Sequence, residues 1–212
     1  MTTLIVHEPR QVERRLRQEF GTNRRTLIDI VAVAVAARAR CTTNSPRSAG
    51  SYYAWAAATT RLRQVFRPEG WDKGDGDGIE TVVNHERKIK IAVLSTDHGT
   101  ADINRRPKNR TIKGPASERV VELNNQMELF TLGEMGPIAE SPYSMWYVCI
   151  YDDGSSVRAE LSKPVTFSGG FITQFSERIF VLQDGDWEKV VLTLSDKAPE
   201  QYDDLKIDVR RK

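Results

Sequence analysis

The chain has 212 residues, 39% hydrophobic and 28% charged, enough length and apolar character to bury a core without disulfide or metal staples. Its net charge of +2 hides an asymmetry: residues 1–70 hold twelve arginines and no lysine against five acids, while the remainder holds nineteen bases against twenty-four acids. Two distant cysteines, Cys41 and Cys149, exclude a disulfide framework or a cysteine zinc site, and read as reduced, buried thiols.

The first six residues lack the basic start, apolar core and small-residue cleavage site of a secretory signal. The longest apolar stretch, residues 27–37, contains Asp29 and is about half of what a membrane crossing needs. A cytoplasmic protein with no membrane partner is expected.

Pro9 opens a first helix in which Val12, Leu16 and Phe20 recur at four-residue spacing until Gly21 stops it, with Arg10, Arg14 and Arg17 together on another face. Thr22 or Asn23 caps a second helix reaching about Arg40, with Leu27, Ile30, Val31, Ala34 and Val35 as its stripe. The alternation of residues 31–35 also fits a strand, but length, alanine content and the cap favour helix. After a loop at 42–47, a third helix spans residues 49–66, where Tyr52, Trp55, Thr59, Leu62 and Phe66 fall three and four apart before Pro68 and Gly70.

Beyond Trp71 the glycine-rich acidic run 72–78 reads as a loop, 79–83 and 89–94 as strands, and 84–87 as the turn between them. A polar, basic stretch fills 96–113 before a fourth helix, 115–130, carrying Val120, Leu123, Met127 and Phe130. Strands are then expected at 146–151, 157–161, 178–182 and 187–194 as an antiparallel meander, with 205–209 as an added edge. The expected fold is α+β: a predominantly antiparallel sheet with one packed helix, preceded by a basic helical N-terminal region. The domain division placed on it is residues 1–70, with about three helices, and residues 71–212.

The chemistry is sparse. No nucleotide-binding glycine loop, zinc-protease helix or nucleophile elbow is present, and His7, His85 and His98 are too scattered for a metal cage. Asp72, Asp75, Asp77 and Glu80 suggest a hard cation. However, reading Asp75 and Asp77 as third and fifth ligands of a calcium loop puts Lys73 first and Asn84 twelfth, where carboxylates belong. Adding Glu86 and Lys88 produces a nuclease-like Glu-x-Lys set on a turn, which fixes a metal poorly. Asp97, His98 and Asp102 are loop polar groups without an evident pocket, and Glu160 and Glu177 are isolated strand acids. No catalytic set, metal or cofactor is therefore assigned, and a binding role is expected over an enzymatic one.

The sharpest feature is Arg105, Arg106, Lys108, Arg110 and Lys113, five cations with no acid among them, leading into a helix start. Basic side chains delivered to a helix N-terminus, where free N–H groups and the positive dipole end gather, suit phosphate. Pairing with the acids of 72–80 is the competing explanation. The function expected is a binding or regulatory protein that engages nucleic acid or a nucleotide through this loop, with the N-terminal arginines as a second source of positive charge. The alternatives are an accessory or inhibitor protein of a mobile genetic element docking on an acidic protein surface, and a metal-dependent phosphodiesterase or nuclease. A homo-oligomer is compatible with the apolar stripe of the third helix.

Overall fold

The computed structural model describes residues 2–131 and 142–195. Pro9 presets φ at the start of α1 (Pro9–Phe20), and Gly21 ends it in the left-handed conformation at φ 63°, its N–H bonding the Arg17 carbonyl. Val12, Leu16 and Phe20 are the buried residues of α1. Asn23 caps α2 (Arg24–Ala39), its side-chain oxygen accepting the Thr26 N–H at 2.9 Å. The valine and alanine alternation of residues 31–35 is helical, and α2 packs along α3 (Ala49–Phe66), where small buried residues such as Ala34 and Ala58 permit close approach.

Among the described residues seven strands form one sheet: β1 (Leu4–Val6), β2 (Asp72–Gly74), β3 (Thr81–Asn84), β4 (Ile89–Ser95), β5 (Ser144–Asp152), β6 (Val157–Ser168) and β7 (Phe171–Leu182). Their order is β1-β7-β6-β5-β4-β3-β2. β1 is parallel to β7 and β4 is parallel to β5, while the other neighbours are antiparallel.

Strand alternation builds two cores. Ile91 and Val93 of β4, Val148 of β5, Leu161 of β6 and Ile179 of β7 face the side covered by α1, α2 and α3, and α5 (Asp186–Ser195) joins there through Trp187 and Val190. Ala92, Leu94, Tyr147 and Cys149 face the opposite side, where α4 (Pro115–Thr131) buries Val121. Residues 96–113 are bonded to that second side.

The expectation of a predominantly antiparallel sheet with one packed helix is overturned: the sheet is mixed, and among the described residues five α-helices lie on its two faces. The physical cause is the connection between β4 and β5. A hairpin reverses direction, whereas this long crossover carries the chain back past α4, so β5 re-enters alongside β4 in the same sense. β1 and β2 have three residues each, too short to show a period, and pair only because β7 and β3 present open edges. The strand expected at 187–194 is the helix α5, since a run of valines and leucines fits either state and docking of Trp187 and Val190 on the core decides it. The edge strand expected at 205–209 lies outside the described residues.

Phe20 is 1% exposed and its ring meets Trp146 edge-on, centroids 4.9 Å apart, so α1 is joined to the centre of the sheet by an aromatic contact. Phe20→Ala is expected to destabilise the protein by about 3–5 kcal/mol, with α1 and the sheet unfolding in one transition. Urea denaturation followed by tryptophan fluorescence and by far-UV circular dichroism checks this, and two separated transitions would contradict the shared core.

Candidate phosphate-binding surface

The basic segment is mounted on a buried ion pair. Arg178 of β7 and Glu160 of β6 are 1% and 0% exposed, on the α4 side of the sheet. Arg178 donates from Nε to Glu160 Oε1 at 2.9 Å and from Nη2 to Oε2 at 2.6 Å. Its other donors reach loop carbonyls: Nη1 to Asp102 and Arg105 at 3.2 and 2.7 Å, and Nη2 to Gly99 at 3.0 Å. The five N–H groups of the guanidinium are thus all used. Glu160 also accepts the Ala101 N–H at 2.6 Å and the Ser162 hydroxyl at 2.7 Å, and Ala101 is held at φ 50°, an unfavourable region for a side-chain-bearing residue.

A second clip holds the returning half of the loop. Asn109, 3% exposed, donates from Nδ2 to the Thr111 and Gly170 carbonyls at 2.7 and 2.9 Å, and its Oδ1 accepts the Ile172 N–H at 2.8 Å. Lys113 N–H reaches the same Gly170 carbonyl at 3.0 Å, so the β6–β7 turn and the loop are joined. Asp97 Oδ1 closes the loop's neck by accepting the Gly99 and Lys108 N–H groups, both at 3.0 Å.

On this rigid backbone Arg105, Arg106, Lys108 and Arg110 are exposed and Lys113 is half-buried. Arg105 approaches Asp102 at 3.8 Å, a weak contact between solvated groups. Arg110 donates from Nη1 to the Asp152 carbonyl at 3.1 Å. Arg106 and Lys108 have no side-chain partner among the described residues. Burial pulls the Lys113 ammonium below its ordinary range. At the start of α4 the Ser117 and Glu118 N–H groups already bond the Gly114 carbonyl, so the exposed side chains are the principal anion-facing groups.

Asp72 and Asp75 of the acidic run are engaged away from this loop. Asp75 pairs with Arg63 and with Lys73, the latter at 2.8 Å, and Asp72 meets His85 at 3.2 Å. Among the described residues no three histidine, cysteine, aspartate or glutamate side chains converge as a metal site. Asp97 and Asp102 serve as turn acceptors, Asp102 Oδ1 taking the Asn104 N–H at 2.8 Å, and His98 stands exposed beside them. Glu177, an isolated acid in the sequence, holds Arg15 of α1 in a two-pronged contact at 2.7 and 2.8 Å. Cys149 is fully buried, and burial, reinforced by the Glu160 carboxylate, pushes its thiol well up, so it is no nucleophile.

Sequence reasoning missed Arg178 as the partner of Glu160 and read Asn109 as a neutral hydrogen-bonding group for phosphate, not as the clip between the loop and the β6–β7 turn. One signal was present: Glu160 stands directly between the apolar Ala159 and Leu161, the pattern of a buried charge that needs a partner. A second cationic surface lies on the other side of the sheet, a groove of about 1150 Å³ between α1, the start of α2 and α5. Arg10, Arg14 and Arg17, the common face read from the sequence, line it with Arg25, over Ile28 and Val190. Glu13 engages Arg17 at 2.8 Å and Asp186 engages Arg24 at 2.8 Å, whereas Arg10, Arg14 and Arg25 have no side-chain partner among the described residues.

Arg178→Met is expected to cost about 3–5 kcal/mol, because it strands Glu160 and three carbonyls away from water. Arg178→Met with Glu160→Leu should cost less than the sum of the single changes, and amide hydrogen exchange across 97–108 should rise in both. Denaturation measurements in a double-mutant cycle check the energetics, and additive losses would contradict the coupling. No protein-family model, curated protein sequence or solved structure matches this chain, so the functional reading rests on its own residues.

Proposed function

We propose that this protein binds a phosphate-rich partner, nucleic acid foremost, through Arg105, Arg106 and Lys108, with Arg110 and Lys113 at the flank. The supporting observation is that exposed cations with little neutralisation stand on a loop whose backbone is locked by Arg178, Glu160 and Asn109. Like charges held close repel one another, and a polyanion relieves that repulsion while counterions leave the nucleic acid. Fixing the loop in the free protein also lowers the ordering cost on binding. No helix among the described residues is long and apolar enough to cross a membrane.

A second reading, docking of an acidic protein surface, draws on the groove between α1 and α5, because its arginine rim surrounds aliphatic residues that a nucleic-acid backbone does not use. The two surfaces lie on opposite sides of the sheet and are separable by mutation.

Replacing Arg105, Arg106 and Lys108 by alanine should leave the melting temperature unchanged or slightly higher. Nucleic-acid affinity should fall, and the slope of log affinity against log salt should become shallower by up to about 0.9 for each duplex phosphate that is no longer neutralised. Calorimetry and salt-dependent anisotropy read both. A variant that binds as the parent does would remove the loop from the interface.

A further inference from the structure

The trough between α1, the start of α2 and α5 has a rim and a floor of different chemistry. Arg10, Arg14 and Arg17 stand four and three residues apart on α1 and share one face over two turns, about 6 and 4.5 Å apart along the axis. All three are exposed, and so is Arg25 at the start of α2, which lines the same trough. The floor is aliphatic: Ile28 of α2 and Val190 of α5 are half-buried and packed against the core.

Two acids also line the trough, and both are committed to neighbours. Glu13 accepts from Arg17 Nε and Nη2 at 2.9 and 2.8 Å and from the Arg24 N–H at 3.1 Å. Asp186 accepts from Arg24 Nη2 at 2.8 Å and from the Gln183 N–H at 3.2 Å. These bonds fix Arg17 and Arg24 and leave Arg10, Arg14 and Arg25 without a side-chain partner among the described residues.

The two carboxylates restrict what can enter. A nucleic-acid backbone carries charge at every nucleotide, so a strand laid in the trough forces phosphates against Glu13 and Asp186 and gains nothing from Ile28 and Val190. A helix with acids along its edge and aliphatic side chains on its face places charge only at the arginine rim and hydrocarbon on the floor. At about 1150 Å³ the trough also exceeds the roughly 300–1,000 Å³ of small-ligand sites.

We infer that this trough is the docking site of an acidic amphipathic helix of a partner protein. Its carboxylates meet Arg10, Arg14 and Arg25, and its aliphatic face covers Ile28 and Val190. The inference rests on the acidic-protein reading and narrows it to one secondary structure.

The test uses the full chain and two fluorescein-labelled peptides of about 18 residues, long enough to form a helix on binding. One carries leucines on a single helical face flanked by glutamates, and the other is its scramble. The parent should bind the amphipathic peptide at least about tenfold more tightly than the scramble, with affinity falling as salt rises. Arg10→Glu with Arg14→Glu and Arg25→Glu should weaken that binding by at least about tenfold. A peptide with lysine in place of each glutamate should bind this variant better than it binds the parent, a readout that loss of folding cannot produce. The Arg105, Arg106 and Lys108 alanine variant should bind the amphipathic peptide as the parent does. Equal binding of both peptides, lost in the charge-reversed variant, overturns the helix and leaves the acidic-protein reading standing. A parent that binds neither peptide, or peptide binding untouched by the charge reversal, overturns both. Duplex DNA whose binding is lost on charge reversal but kept in the loop variant assigns the trough to nucleic acid and also overturns the inference.

Discussion

Two opposite charges withdrawn from water, Arg178 and Glu160, hold the half of the molecule that faces α4. Desolvating either alone is prohibitive, so the pair exists only because each lone pair and N–H finds a partner, and those partners are supplied by residues 99–105 of one loop together with Ser162. The loop in turn owes its shape to the pair, since few of its side chains contribute to an apolar core. Ala101 in its left-handed conformation is one measure of how strongly the surrounding bonds dictate the backbone. A flexible linker of the same composition would scatter its cations. This arrangement presents them in one place.

Charge is sorted by the sheet. The loop's backbone is bonded to the α4 side, with Arg110 reaching the sheet's edge beside α2 and α3, while the groove between α1 and α5 gathers part of the arginine excess of the N-terminal third on the other side. Acids are engaged locally, Glu13 by Arg17, Asp29 by Arg61, Asp75 by Arg63 and Glu177 by Arg15, which leaves a subset of cations unopposed on each side. Unopposed cations at fixed positions attract anions at long range and lose that advantage as salt rises, which is the behaviour on which both readings of the function turn.

The parallel β4–β5 pair explains why the basic loop and the start of α3 meet. In a sheet with helices on both faces, the carboxyl ends of parallel strands open a crevice where connections diverge. Here β4 leads into the basic loop and β5 ends at Asp152, and α2 and α3 approach from the other face with Arg38 and Ser51. Residues distant in sequence are brought to one edge by topology alone.

Local order was legible in the sequence. Four-residue stripes, Pro9, Gly21 and Asn23 delimited α1 and α2 within a residue or so, because caps and amphipathic spacing act within a few residues. The density of positive charge at 105–113 was legible too, but whether those side chains face solvent or pair with the acids of 72–80 was not. What tertiary structure alone decided is everything that depends on which strand lies beside which. The parallel re-entry of β5, the helical state of 186–195, the pairing of Glu160 with Arg178 and the meeting of Arg110 with the start of α3 are of this kind. Each arises from contacts between segments far apart along the chain, and a sequence read locally contains the partners without the register that joins them.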